Sequence, residues 1–376
     1  MLLALCVSCF PNGMDSPAFG TMGSTEATVR THHEKEGVHM THITQMGIDL
    51  AKHVFQLHGV DERGHIVLRR QVSRTRLRHV FAQLQPCLVG MEACGSAHYW
   101  ARELRTLGHD VRLIAPQFVA PYRKNDKNDG NDAEAICEAV GRPHMRFVPV
   151  KEVEQQAVLT VHRARQLLVA ERTALVNQTR GLLAEYGLIV STGVGVLRRA
   201  LPELLEAPAL PVLAREVFAD LADRLRALDE RIATYDRRVA QVARQTESAQ
   251  RLMQAPGVGP VTATALVATV GNAHAFKNGR QFAAWLGLVP RQHSSGGTRR
   301  LGRITKRGDV YLRTLLIHGA RAVMRQLAHR TDATSRWVLA LKARRGFNKA
   351  VVALAAKQAR VLWALLATGR PYAACP

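Results

Sequence analysis

Gln45-Met-Gly-Ile-Asp-Leu-Ala-Lys-His-Val-Phe-Gln-Leu-His-Gly-Val-Asp-Glu-Arg-Gly64 is the stretch whose reading decides the fold. Its apolar alternation predicts two strands of a hairpin, about 43–50 and 54–60. A turn at Asp61-Glu-Arg-Gly64 and a third strand at 65–70 follow. The first strand ends on Asp49. A carboxylate there sits where a sheet edge opens to solvent, a good place for a metal ligand and a poor one for a core residue. Taken alone, such an aspartate is as readily a turn or cap residue.

Working outward, 74–84 reads as a short amphipathic helix, and 87–92 as a buried strand that ends on Glu92. A helix then runs to Leu107, where Gly108 stops it, and 110–115 is a strand closed by Pro116. The order is β-β-β-α-β-α-β-α, antiparallel first and parallel after. That order resembles the ribonuclease-H-like, RuvC-type fold. There, strands one and four are neighbours, which implies that Asp49 and Glu92 lie side by side. Next comes Arg123-Lys-Asn-Asp-Lys-Asn-Asp-Gly-Asn-Asp-Ala-Glu-Ala-Ile-Cys137, in which Asn131 is expected to cap a helix starting at Asp132. Asp126, Asp129 and Asp132 recur every three residues. They suit the positive end of that helix as plain solvated acids. Together with two strand-end carboxylates they suit something more, the binding of two magnesium ions about 3.5–4 Å apart on one phosphate.

The chain has 376 residues, a length of two or three domains, and 47% hydrophobic content supports real cores. Its net charge of +22 points to a polyanionic partner. From Arg251 to the end there are 21 Lys and Arg against two acids, Asp309 and Asp332, so that part carries +19. The first 250 residues hold 28 acids against 31 bases and are nearly balanced. Six scattered cysteines, with one Cys6-x-x-Cys9 pair and no second, suit a reduced cytosolic protein better than a zinc site. The apolar start, Met1 to Phe10, is too short to span a bilayer. Residues 1–40 lack periodicity and read as a disordered extension.

Two long polar helices are expected over 151–186 and 211–250, with coiled-coil-like spacing. One stripe includes Leu167, Leu168, Leu175 and Leu182; the other includes Leu213, Val217, Leu225 and Leu228. They read as a spacer and dimerisation arm. Leu252-Met-Gln-Ala-Pro-Gly-Val-Gly-Pro-Val-Thr-Ala-Thr-Ala-Leu266 resembles a helix-hairpin-helix, in which Gly257 and Gly259 would bring backbone N–H groups to a DNA phosphate. After Gly287 a glycine-rich loop holds Ser294 and Ser295 among Arg291, Arg299, Arg300, Arg303, Lys306 and Arg307. The cations could stabilise charge on a phosphate. A serine there is a weak nucleophile without a base or metal, and no base is adjacent.

Five motifs occur in order: Gly47-Ile-Asp-Leu-Ala-Lys52, Gly90-Met-Glu-Ala-Cys-Gly95, Lys127-Asn-Asp-Gly-Asn-Asp-Ala133, Pro256-Gly-Val-Gly259 and Gly287-Leu-Val-Pro-Arg-Gln-His-Ser-Ser-Gly-Gly297. Together they resemble the DEDD-type insertion-sequence transposases, the IS one-ten family, and most of all its IS one-one-one-one branch, over roughly 44–327. The resemblance implies an α/β RuvC-like domain at 41–148, a helical coiled-coil region at 149–245, and a mainly helical basic transposase domain at 246–376. It implies Asp49, Glu92, Asp129 and Asp132 as an acidic tetrad holding magnesium, with Asp126 a bystander. It selects Ser295, the serine directly before glycine, as the residue that joins DNA through its 5′ end. A structured RNA from the element, homo-oligomers of two or four chains, and a bacterial cytoplasm at the nucleoid are implied with it. The competing readings are a RuvC-like nuclease that uses water, and a nucleic-acid scaffold with a dead acidic centre.

Overall fold

The computed structural model of the chain describes residues 42–124, 128–327 and 332–373. The expected extension at 1–40 and the bystander Asp126 lie outside them. Strands β1 (Gln45–Leu50), β2 (Val54–Val60) and β3 (Ile66–Ser73) form an antiparallel meander. Strands β4 (Leu88–Glu92) and β5 (Asp110–Ile114) then add in parallel to β1, and a two-residue β6 (Phe147–Val148) closes the other edge. The sheet order is β3-β2-β1-β4-β5-β6, so the first and fourth strands are neighbours. This mixed sheet is consistent with a ribonuclease-H-like fold.

The two faces of the sheet follow from the period-two alternation of β1 and β4. Met46, Ile48, Val89 and Met91 pack with Phe55 and Leu57 against helices α1 (Leu77–Ala82) and α2 (Ala97–Arg105), which contribute Phe81, Trp100 and Leu104. After a short α3 (Pro116–Val119), helix α4 (Asp129–Val140) covers the other face. It lies unusually close there because β1 and β4 present glycine to it. A Cβ at Gly47 would run into the α4 backbone at Ala133 and Cys137, and one at Gly90 would meet Val140.

Helices α5 (Val153–Ala184), α6 (Val194–Leu205) and α7 (Val212–Gln245) follow, with a core of Leu168, Leu175, Leu183, Phe218, Leu225, Leu228 and Ile232. Ion pairs Arg172–Asp229 (2.8 Å) and Arg198–Asp229 (2.9 Å) cross between them. Of the stripes expected from spacing, Leu167 and Leu213 are instead 60% and 74% exposed. Leu168, Leu175, Leu225 and Leu228 of those stripes are buried, and beside Leu213 and Val217 the neighbours Ala214 and Phe218 take the buried positions.

The remaining chain is mainly helical: α8 (Glu247–Met253), α9 (Pro260–Val270), α10 (Gly279–Trp285), α11 (Val310–Arg325), α12 (Ala333–Arg345) and α13 (Phe347–Thr368). Between α10 and α11 stands a two-stranded hairpin, β7 (Pro290–Gln292) and β8 (Leu301–Ile304). Helix α13 is long and apolar enough to cross a membrane by composition. Its Ala350, Val351, Leu354, Ala355, Leu362 and Leu365 are buried in the same core as Leu252, Leu266, Phe282 and Leu316, which accounts for that apolarity.

Candidate active site and nucleic-acid interface

Ile48 is the register partner of Met91, so Asp49 and Glu92 come next at the ends of two adjacent parallel strands. With Ile48 and Met91 turned to α1 and α2, alternation turns Asp49 and Glu92 to the α4 side. The two carboxylates also act on one atom. The Cys94 thiol, exposed at its surface but hemmed in by protein, is pushed above its usual value by desolvation first, then by Glu92 and Asp49.

Helix α4 supplies the other two acids. The Gln45 amide reaches the Cys137 carbonyl, and Gly47 lies against Ala133 and Cys137, so α4 runs opposite to β1. Two strand residues advance about 6.8 Å and four helix residues about 6 Å. Two residues past Gly47, Asp49 is therefore level with the first turn of α4, where Asp129 and Asp132 stand. That turn begins earlier than expected. Asn128, in extended conformation, accepts from Asn131 N–H (2.9 Å) and is the N-cap. The expected cap, Asn131, sits inside the helix, and so does Asp129.

Asp132 is only 8% exposed and its Oδ1 accepts from the Arg123 guanidinium. Asp129 is exposed. Glu134, one turn on, holds Arg69 (2.7 Å) and Lys124 (3.2 Å). All four acids offer carboxylate oxygens, which suits a hard divalent cation, and Asp49 and Glu92 fit that role as a pair. Asp132 is engaged by Arg123 through Oδ1. Among the described residues, no group of three or more His, Cys, Asp or Glu side chains is gathered to hold a metal ion. The acids thus share a face and a level but do not form a closed cage.

The expected glycine-rich loop is an exposed hairpin. Its tip is a turn in which Thr298 N–H donates to the Ser295 carbonyl (3.0 Å), and Gly296 and Gly297 take φ of 54° and 76°. Positive φ at both central positions is the hairpin turn that glycine accepts most easily. The two serines differ. The Ser294 hydroxyl accepts from Gln292 Nε2 (3.0 Å) and from the Arg300 N–H (3.2 Å), which ties it across the hairpin. The Ser295 hydroxyl has no hydrogen-bond partner among the described residues. Arg291, Arg299, Arg300, Arg303, Lys306 and Arg307 are all exposed around it.

Sequence reading passed over what anchors this hairpin. Arg313 on α11 is 8% exposed, and its guanidinium donates to the Arg307 carbonyl (3.1 Å) and the Leu286 carbonyl (3.2 Å). Those carbonyls lie where the chain enters and leaves the hairpin. The position of Arg313 one helical turn after Asp309 was visible, but nothing local says that its charge is buried. Asp309 itself caps α11 through Leu312 N–H (2.9 Å) and lies 3.7 Å from Arg163 of α5. A second buried group, His162 of α5, joins α9 and α11. Thr264 Oγ1 donates to the Pro260 carbonyl (2.7 Å), so it accepts from His162 Nε2 (3.0 Å). Nδ1 is then the acceptor from the Tyr311 hydroxyl (3.0 Å). Burial, then Arg165 and Arg163, push the His162 imidazole down to about 4, in keeping with this neutral tautomer.

The turn between α8 and α9 divides its two glycines. Gly257 (φ +79°) is pressed against the backbone of Gly319 on α11, where a Cβ would collide. Gly259 is exposed, has open space around it and precedes α9, with Pro260 as the first helical residue. The packing need accounts for the first glycine and leaves the second facing solvent.

Known proteins match this chain closely. A family model described as a transposase, of the IS110 DEDD type, matches residues 46–188, and one described as the transposase IS116/IS110/IS902 family matches 249–335. A probable family 20 transposase of Pseudomonas aeruginosa is 58% identical over 327 residues, covering 86% of this chain and 97% of that protein. The transposase for insertion sequence element IS1111A of Coxiella burnetii is 47% identical, covering 89% and 92%. The transposase for insertion sequence element IS1328 of Yersinia enterocolitica is 40% identical, covering 88% and 98%.

Proposed function

The chain belongs to the IS116/IS110/IS902 family of transposases, and from that premise we propose that it moves its element by attack of Ser295 on DNA. As a transposase it is an enzyme that cleaves and rejoins DNA strands. In the proposed step Ser295 Oγ bonds to phosphorus as the P–O3′ bond breaks. The 5′ end becomes a phosphoserine ester, and the 3′ oxygen leaves with a proton in place of the one serine gives up. One P–O bond replaces another, so rejoining needs no further energy source.

The observation that carries this reading is the difference between the two serines. Ser294 is used to tie the hairpin, whereas Ser295 stands at the turn with its hydroxyl uncommitted and cations around it. Asp49, Glu92, Asp129 and Asp132 would hold magnesium, two ions in all, and bound metal would supply Lewis-acid charge at the phosphate. Asp49 and Glu92 would orient the strand, and Arg123 would keep Asp132 in place. The basic hairpin, with Gly257 and Gly259, would hold DNA backbone in a helix-hairpin-helix manner. We read 41–148, 149–245 and 246–376 as the three working domains, and α5 with α7 as a coiled-coil arm joining two or four copies. Exposed Leu182, Ile189, Val212, Leu213 and Val217 at one end of that arm support this assembly. A structured RNA of the element would select target and donor ends.

The test incubates the protein with element ends, that RNA and magnesium, then seeks a DNA-shifted band on a denaturing gel. Ser295→Ala should abolish the band and Ser294→Ala should largely keep it. Normal cleavage and rejoining by Ser295→Ala would refute the serine step and leave a RuvC-like nuclease using water.

A further inference from the structure

A cleft runs beside the serine hairpin, between α10, β7–β8 and α13. One cavity of about 350 Å³ is lined by Arg280, Arg299 and Arg360, with Val289 and Leu301 as apolar wall. A second, of about 290 Å³, shares Arg280 and Arg360 with it and continues to Trp363. The three guanidiniums come from a helix, a hairpin strand connection and another helix, so the fold rather than local sequence gathers them. None makes an ion pair or side-chain hydrogen bond among the described residues. The two acids after residue 250, Asp309 and Asp332, are engaged elsewhere as the caps of α11 and α12.

Rigidity adds to the case. A Cβ at Gly279 would lie 3.0 Å from the Arg360 backbone, so α10 and α13 are in close contact where the two arginines emerge. Trp363 is fixed by Nε1 donating to the Ala273 carbonyl (3.0 Å). Three forked cations above an apolar wall suit a phosphodiester strand, with phosphates on the guanidiniums and sugar or base on the wall. Each cavity has the volume of a small ligand rather than the width of a duplex. Gln292 also lines the cleft, and its amide holds Ser294, next to Ser295. Ser295 is three positions after Gln292, about 10 Å of extended chain, so a strand in the cleft ends near the reactive hydroxyl.

We propose that the Arg280–Arg299–Arg360 cleft binds a single DNA strand and leads it to the serine hairpin. The choice of DNA rests on the Ser295 reading; the cleft itself does not.

The experiment measures binding by full-length Ser295→Ala protein, which removes the covalent step, using fluorescence anisotropy. The probes are a labelled single-stranded DNA, the RNA of the same sequence, and the DNA duplex. Arg280→Ala with Arg360→Ala should weaken single-stranded DNA at least tenfold. The log–log salt slope should shrink by about 1.4, two phosphates at about 0.7 each. The lysine pair, Arg280→Lys with Arg360→Lys, keeps the charge and should recover most of the affinity while controlling for folding. Arg344→Ala with Arg345→Ala removes the same charge from the end of α12 and should change affinity less than threefold. Equal losses for both alanine pairs would reduce the cleft to bulk charge and overturn the proposal. A loss confined to RNA or to the duplex would overturn the choice of a single DNA strand. None of these outcomes bears on the serine, whose own failure would show as normal rejoining by Ser295→Ala.

Discussion

Gly47→Ala separates the positioning of the acids from the stability of the fold. The new Cβ would sit 2.5 Å from the Cys137 nitrogen and 2.8 Å from the Cys137 Cβ, and against the Ala133 carbonyl. All three are α4 main chain or lie beside it, so no rotamer change relieves the clash. Restoring ordinary contact at all three atoms requires α4 to back away by about 1 Å. Overpacking of that size costs about 1–3 kcal/mol, which a sheet with two covered faces survives. The displaced helix carries Asp129 and Asp132 away from Asp49 and Glu92. A misplacement of about 1 Å can cost on the order of 10²-fold in a positioned site. The assay pairs urea unfolding with strand transfer on element ends. Gly90→Ala is the comparison, because its new Cβ meets Val140 Cβ (2.7 Å) and Ile136 (3.1 Å) in the later turns of α4, away from Asp129 and Asp132. Gly47→Ala should lose strand transfer about 10²-fold, and Gly90→Ala should lose less at similar stability. Wild-type strand transfer by folded Gly47→Ala would refute the idea that the α4–β1 contact sets the acids.

Arg313→Leu should destabilise the protein by about 2–4 kcal/mol, since it leaves the Leu286 and Arg307 carbonyls without their donor. Arg313→Lys should cost less, and a urea midpoint unchanged by Arg313→Leu would refute the clamp. The His162 imidazole is pushed down to about 4 from 6.5, so the unfolded chain takes up more protons between those values. Stability should be full above pH 6.5 and fall as pH drops toward 4. His98, also pushed down to about 4 by burial, Lys151 and Arg102, acts in the same direction. His162→Gln should therefore shallow the pH dependence without abolishing it, and an unchanged slope in urea titrations at pH 7 and 5 would refute the assignment. DNA affinity should fall steeply with salt, by a log–log slope of about 0.9 per duplex phosphate neutralised. Replacing Arg299, Arg300 and Arg303 together with alanine should reduce that slope by about 2–3; no change would move the DNA contact elsewhere.

The sheet was legible because its strands carry period-two alternation and end on clear punctuation. The expected second strand, 54–60, is the observed β2, and the strands ending on Asp49 and Glu92 fall as expected within two residues. β6 has two residues and no period to read. The start of α4 was misread because Asn128-Asp-Gly-Asn131 offers two capping asparagines three residues apart. The helix expected over 211–250 breaks at Thr246, where φ −110° and ψ 108° are extended, although the apolar pattern runs on. Helix α6 was hidden by Gly193 and Gly195 at its start and by Pro202 within it. The β7–β8 hairpin buries nothing, so no hydrophobic alternation marks it. Acids at strand ends announce themselves in sequence; Arg123, Arg313 and the arginines of the cleft do not. Their meaning depends on which carboxylate, carbonyl or cavity the fold brings to them.

Arg123 shows how the folded chain manages the acids it gathers. Four carboxylates at one end of a sheet repel one another, and Asp132, at 8% exposed, is the most enclosed of the four. A nearly buried carboxylate without a counter-charge would take up a proton or disrupt its surroundings. Arg123 supplies that counter-charge from the segment just before α4, and does so through Oδ1 alone. A carboxylate has two oxygens with about four acceptor positions between them, so Oδ2 can serve a second cation or a donor without displacing Arg123. The guanidinium is itself suited to a phosphate oxygen by its fork of donors. The same residue would thus hold Asp132 in place before DNA arrives and contact the phosphate once it is there. Lysine in its place would keep the charge but not the planar fork, so an Arg123→Lys chain would preserve the fold better than it preserves the site.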